Sequence, residues 1–186
     1  MIDQASVVSP PRLSGWLIAS WGLGGFLLLL IQALIRLSPM AWVAISEYSL
    51  ALWQWGLMAG WTLFMAISEG YKGFQKAFAP RFGARLRWLR DHPQGLPALL
   101  APFFCMGFFG ATRKRKLVSW ILTMGIVIFV LLIKLLPQPW RGIIDVGVVV
   151  GLSWGVLATV WFSLQALFSQ HFEIDPELSD KLAQKP

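Results

Sequence analysis

Charge is what this sequence has least of. Only 13% of its 186 residues are Asp, Glu, Lys or Arg, about half the roughly 25% of soluble domains, which excludes an ordinary water-facing surface. A single cysteine, Cys105, excludes an intrachain disulfide or a cysteine-based metal cluster and leaves the redox compartment open. The two histidines, His92 and His171, fall outside the longest apolar runs, which excludes a bis-histidine haem or a His-based metal site built within such runs. No serine occupies a nucleophile elbow, and no aspartate pair suggests an intramembrane protease. The carboxylates form no recognisable constellation, so lipid-modifying chemistry has little support. Neither an enzyme nor a cofactor is expected.

Hydrophobic residues stand where charge is missing: they make up 56% of the chain, and the mean hydropathy is +0.63. A hydrocarbon core of about 30 Å needs about 20 apolar residues per helix. Residues 15–35, 48–68, 117–133 and 146–170 are each free of charge over about that length, which predicts four spans. The first run is too long for a cleaved signal peptide, and its leader carries Asp3 and one base, so it is expected to stay attached.

A fifth uncharged stretch, 93–112, is interrupted by Pro93, Pro97, Pro102, Gly95, Gly107 and Gly110. If it does not cross, thirteen of the 16 bases share one side, whereas a crossing divides them nine to seven. The positive-inside rule favours the first arrangement. The expectation is a bacterial inner-membrane protein with both termini cytoplasmic, in which 93–112 is re-entrant or interfacial.

One connector is written twice. "IRLSPMAWVAISE" (35–47) and "IKLLPQPWRGIID" (133–145) share Ile, Leu, Pro, Trp and Ile in order, with Arg36 over Lys134 and Glu47 over Asp145. "WGLMA" (55–59) and "WGVLA" (154–158) extend the match. This order predicts an all-α polytopic membrane protein of two parallel-repeat transmembrane helical hairpins, with a basic amphipathic linker and a re-entrant or interfacial segment. The expected divisions are a cytoplasmic N-terminal segment (1–13), hairpin repeat 1 (14–69), the linker (70–92), the 93–112 segment, a basic cluster with hairpin repeat 2 (113–170), and a flexible cytoplasmic tail (171–186).

Small residues mark the expected packing faces. Gly147, Gly151 and Gly155 recur every fourth position, Gly56 and Gly60 form a shorter row, and Ser20 with Gly24 another. Such rows let helix backbones approach where lipid supplies no hydrophobic drive, either within one bundle or in a homo-oligomer.

The linker places Tyr71, Phe74 and Phe78 on one helical face with Lys72 and Lys76 on the other. Beyond Pro80, Phe82, Leu86 and Leu89 oppose Arg81, Arg85, Arg87 and Arg90. Two short helices broken at the proline are predicted, lying in the headgroup plane. With Arg113, Lys114, Arg115 and Lys116 they form a surface for anionic lipid, which is a simpler partner than nucleic acid because the spans already hold the patch against the membrane.

Glu47 and Asp145 are candidate transport-path groups, with Arg36, Lys134 and Arg141 as neighbouring cations. Glu69, Tyr71, Lys72 and Gln75 form a candidate cytoplasmic locus at the inner end of the second span. Gln32, Gln54 and Gln165 are mid-span amides that need partners. Two functions fit: ion or small-solute translocation between the duplicated hairpins, or a non-enzymatic scaffold or assembly factor docking a larger membrane complex through glycine faces and the basic surface.

Overall fold

A computed structural model describes residues 13–93, 95–169 and 171–183. Most of the N-terminal segment lies outside them. Among the described residues the regular structure is helical, apart from one antiparallel bridge between Ala111 and Leu178. Three helices are long and apolar enough to cross a membrane: α1 (Leu13–Ser46), α6 (Arg113–Ile133) and α7 (Trp140–Phe168). The expected fourth span, 48–68, is not a separate helix of that kind.

That region belongs to an unbroken helical run from Leu52 to Asp91: α2 (Leu52–Met65), a π-helical segment (Ala66–Phe78) and α3 (Ala79–Asp91). The expected break at Pro80 does not occur. Ala79 donates its N–H to Phe74 O, five residues back, so the wider π turn ends just where the proline ring must fit. Pro80 then occupies the first turn of α3, a position that tolerates a missing N–H. Arg81 Nη1 donates to Ala77 O at 3.0 Å, serving a carbonyl beside the proline.

The two connectors share sequence but not conformation. α1 continues through Pro39 to Ser46, so Trp42 falls within its last turns, and the chain turns only at Glu47. In the second copy α6 stops at Ile133 and α7 opens at Trp140. One proline removes a single ladder bond, whereas Pro137 and Pro139 remove two within one turn, and the helix cannot pass. Gln54, expected as a mid-span amide, instead caps α2: its Oε1 accepts the Ala51 N–H at 2.9 Å.

α7 is the centre of the bundle. α1 runs antiparallel to it, with Gly142 against Met40 and Ala44 at one end and Trp16 beside Phe168 at the other, ring centroids 5.4 Å apart. The 52–91 helix runs parallel to α7: Trp61 Nε1 donates to Ile144 O at 3.0 Å, Trp154 Nε1 to Gln75 Oε1 at 2.7 Å, and Gly83 rests on Phe162 and Ala166. Gly147 meets Trp61, Gly151 meets Met65 and Glu69, and Gly155 meets Phe74. Gly24, Gly56 and Gly60 face open space instead, so those rows pack nothing within the chain.

The largest apolar cluster lies where α1 begins. Ala19 and Phe26 of α1, Phe82, Leu86 and Leu89 of α3, and Leu167 of α7 meet Ala101, Phe104 and Cys105. The last three belong to α5 (Ala101–Met106), which follows the single turn of α4 (Leu96–Leu99). The 93–112 segment is thus two short helices seated on α1, with Gly22 against Ala101 and Cys105 and Gly25 against Pro102.

α6 stands apart. From Trp120 to Leu132 every residue is exposed except half-buried Thr123. The predicted hairpin pair is therefore unequal: its first helix, α1, packs along α7, whereas its counterpart α6 does not.

Gly147→Val should lower the midpoint of thermal unfolding in detergent, since a β-branched side chain collides with Trp61; the expected cost is about 1–3 kcal/mol. Gly56→Val, on the open face, should leave the midpoint unchanged.

Candidate functional site

Glu47 and Asp145 do not form a matched pair. Glu47 is exposed just past α1, while Asp145 is 1% exposed inside α7. Arg141, one turn earlier, stands 3.8 Å away from Nε to Oδ2, which is an ion pair too long for a hydrogen bond, and Oδ2 has no protein donor. Arg36 and Lys134 are exposed. The register explains the difference: Glu47 ends a helix that passed its proline, and Asp145 lies just inside a helix that started after two.

Glu69 sits deeper than expected. It packs against Gly151 near the middle of α7, and its Oε2 is buried without a protein donor. Thr62 Oγ1, earlier on the same helix, is also buried and unpartnered. Gln75 bonds Trp154, whereas Tyr71 and Lys72 are exposed, and Lys76 Nζ lies 4.6 Å over the Tyr71 ring. The expected cytoplasmic locus is therefore divided, with Glu69 and Gln75 facing α7 and Tyr71 and Lys72 facing outward. The π winding does this. It brings every fourth or fifth residue to α7, through Met65, Glu69, Gly70 and Phe74, and takes Tyr71 off the face that α-helical spacing gave it.

Three of the four arginines of α3 hold the ends of neighbouring helices. Arg90 Nη1 donates to Leu167 O, and Arg87 Nη1 to Ser169 O at 3.1 Å, so both serve carbonyls that α7 leaves unpaired at its C-terminus. Arg85, 1% exposed, donates through Nη1 to Phe104 O in α5 and through Nη2 to Glu177 O, both at 3.0 Å. Burial lowers its pKa to about 10, which still leaves it charged at neutral pH. A buried group of this kind is no surface contact for lipid. Lys76, Arg113, Lys114 and Lys116 remain exposed, and Arg115 is half-buried.

The tail is not a loose end within its described part. Arg81 Nε pairs with Glu177 Oε1 at 2.8 Å, Thr112 N–H donates to Glu177 O at 3.0 Å, and Ser179 N–H donates to Gly110 O at 3.0 Å. Leu178 and Leu182 pack on the apolar cluster. Glu177 is the residue that sequence reasoning missed. Its signal is modest: an acidic run, "EIDPE", in a chain whose bases gather at the other end of α3.

The arrangement defines a class: among the described residues, an all-helical protein with three helices long and apolar enough to cross a membrane, in which arginines of α3 hold the C-terminal carbonyls of α7. Comparison with protein-family models, curated proteins and solved structures found no match.

Arg90→Gln should fray the last turn of α7, seen as faster hydrogen exchange at the Ser169 amide, which bonds Gln165 O at 2.8 Å. Loss of a charged donor to a carbonyl is worth about 1.5–3 kcal/mol. Glu69→Gln should raise the unfolding midpoint, because a buried carboxylate without a donor is replaced by a neutral amide. The same change at Glu47 should do nothing.

Proposed function

We propose that this protein is a non-enzymatic membrane scaffold that docks the helices of another membrane component on its outer faces. α6 carries the reading. Between Ile121 and Leu132 it is an apolar helix whose residues are exposed apart from half-buried Thr123, and an all-apolar exterior is stable only against lipid or another helix. The open Gly56–Gly60 face adds a second docking surface, since small residues four apart admit a close backbone. Beside it, Trp55, Met58, Ala59, Thr62, Leu63, Ala66 and Val146 line an open groove of about 510 Å³. In this reading α2 and the π segment form a fourth crossing beside α7, the α3 end faces the cytoplasm of a bacterial cell, and the exposed bases Arg113, Lys114 and Lys116 rest on anionic headgroups.

One observation favours a second reading, passage of a proton or cation along α7. Thr62, Glu69 and Asp145 each keep a buried oxygen without a protein donor. Glu69 replaces Glu47 as the partner of Asp145 in that role.

Photo-crosslinking residues placed at Ile121, Met124 and Ile128 in membranes should capture another polypeptide of defined mass, while the same probe at Ile18, on the packed side of α1, should not. If α6 positions capture only lipid and Glu69→Gln abolishes a proton or cation flux in liposomes, translocation is the correct reading and docking is not.

A further inference from the structure

Between Ile121 and Leu132 α6 is exposed apart from half-buried Thr123, so what holds it lies at its ends. Ile133 is buried at the end that turns into α7. At the other end Ser119 Oγ donates to Met106 O at 2.9 Å, and Trp120 packs edge-on against Phe108, ring centroids 5.2 Å apart. These two contacts reach no further than the end of α5 and the connector that leads into α6 itself.

That connector, residues 107–112, is tied to the tail. Gly107 and Gly110 stand at φ +87 and +65, so no helix continues through it. Ala111 bridges Leu178, Thr112 N–H donates to Glu177 O at 3.0 Å, and Ser179 N–H donates to Gly110 O at 3.0 Å. The tail is anchored in turn on α3 and the apolar cluster: Arg81 Nε pairs with Glu177 Oε1 at 2.8 Å, Arg85 Nη2 donates to Glu177 O at 3.0 Å, and Leu178 and Leu182 pack inward. The Glu177 oxygen therefore takes one donor from α3 and one from Thr112, the residue that caps α6. One peptide group joins the bundle to the start of the helix that stands off from it.

The closed arrangement is a balance. Glu177 sits in the left-handed region at φ +50, where a non-glycine residue rests at a cost. Asp175 Oδ1 supports the turn by accepting the Glu177 N–H at 2.7 Å. Against that cost stands an ion pair whose side chains are 33% and 32% exposed, the kind that water and salt weaken. A segment held by a few partly exposed contacts in a conformation it does not favour can open without the core opening.

We propose that residues 171–183 form a strap that sets the angle of α6 on the bundle, with Glu177 as its clasp, and that undoing the clasp lets α6 swing about its Ile133 end. Anything that draws the tail away then moves α6 without touching it. The proposal concerns the position of α6 and not what covers it, so it goes beyond the docking reading and stands if that reading fails.

The test uses the full chain in nanodiscs, with spin labels on cysteines introduced at exposed positions. Ile121→Cys with Leu157→Cys measures α6 against α7, and Leu28→Cys with Leu157→Cys measures α1 against α7; native Cys105 is 3% exposed and out of reach of the label. With the strap intact, the Ile121–Leu157 distances form one narrow distribution. Glu177→Lys, which repels Arg81 and Arg85, should widen or displace it by about 5 Å, the scale of one helical turn, and leave the Leu28–Leu157 distances as they were. The Thr112 and Ser179 amides should lose protection from hydrogen exchange in the same variant. If Glu177→Lys disturbs the α1–α7 distances as well, the decision passes to Ser179→Pro, which removes one N–H just before the Asp180–Ala183 turn, takes nothing from the bundle and should move α6 in the same way.

An Ile121–Leu157 distribution that is already broad with the strap intact overturns the proposal. So does one that stays unchanged in the variant that keeps the α1–α7 distances, whether or not the two amides lose protection.

Discussion

The fold depends on how closely other backbones can approach α7. Gly147, Gly151 and Gly155 face the 52–91 helix and Gly142 faces α1, and a methyl group would collide with a neighbour at Gly142, Gly147 and Gly155 and fit only tightly at Gly151. Helices that meet through small residues gain contact along their length without needing water to drive them together. The neighbouring 52–91 helix then has to present groups at the repeat of α7, and it does so by unwinding. Following Met65 at the end of α2, its π segment spaces Glu69, Gly70 and Phe74 to meet Gly151, Trp154 and Gly155. Gly70, under Trp154, is needed in turn because the wider turn brings its own backbone up to that ring.

The same parallel alignment explains the arginines. When two helices end side by side, the unpaired carbonyls of one are within reach of long side chains on the other. α3 runs past the end of α7 and carries Arg87 and Arg90 at that level, while Arg85 reaches back to α5 and the tail. Guanidinium groups suit this work because each supplies several donors in one plane, and Arg85 bridges two segments far apart in the chain. A helix whose sequence reads as a lipid-facing amphipathic element also ties the ends of the bundle together.

What the residues announced in advance divides along this line. The helical class and the apolar lengths of α1, α6 and α7 follow from composition, because hydropathy is summed over many residues and survives local error. The glycine row of α7 was legible for a similar reason, with three positions in strict register. Failures came where one residue decides. The repeated connector was read as one structure because Pro39 and Pro137 align, yet Pro139 alone separates a continuing helix from a loop. Tyr71 was placed with Phe74 and Phe78 by α-helical spacing, and a π winding has no sequence period of its own to betray it. Gly56 and Gly60 have the same spacing as the rows on α7 but face outward, because spacing tells which residues share a face and not what that face meets.

Sequence duplication and structural asymmetry can coexist for a simple reason of volume. α1 carries Gly15, Ala19, Gly22 and Gly25 where α3 and α5 press against it, and Gly15 lies directly on the Arg90 carbonyl. α6 has Gly125 and Thr123 among Trp120, Ile121, Leu122, Met124, Ile126 and Ile128, and nothing stands within 4 Å of Gly125. Backbones cannot close over side chains of that size without small residues opposite, so α6 lacks the surface that would seat it as α1 is seated. α7 already has its Gly147–Gly155 side covered by the 52–91 helix and its Gly142 side by α1, leaving large residues such as Leu157 and Trp161 outward. A bundle complete with three long helices therefore releases its fourth, and the released helix keeps an apolar surface that only something outside the chain can cover.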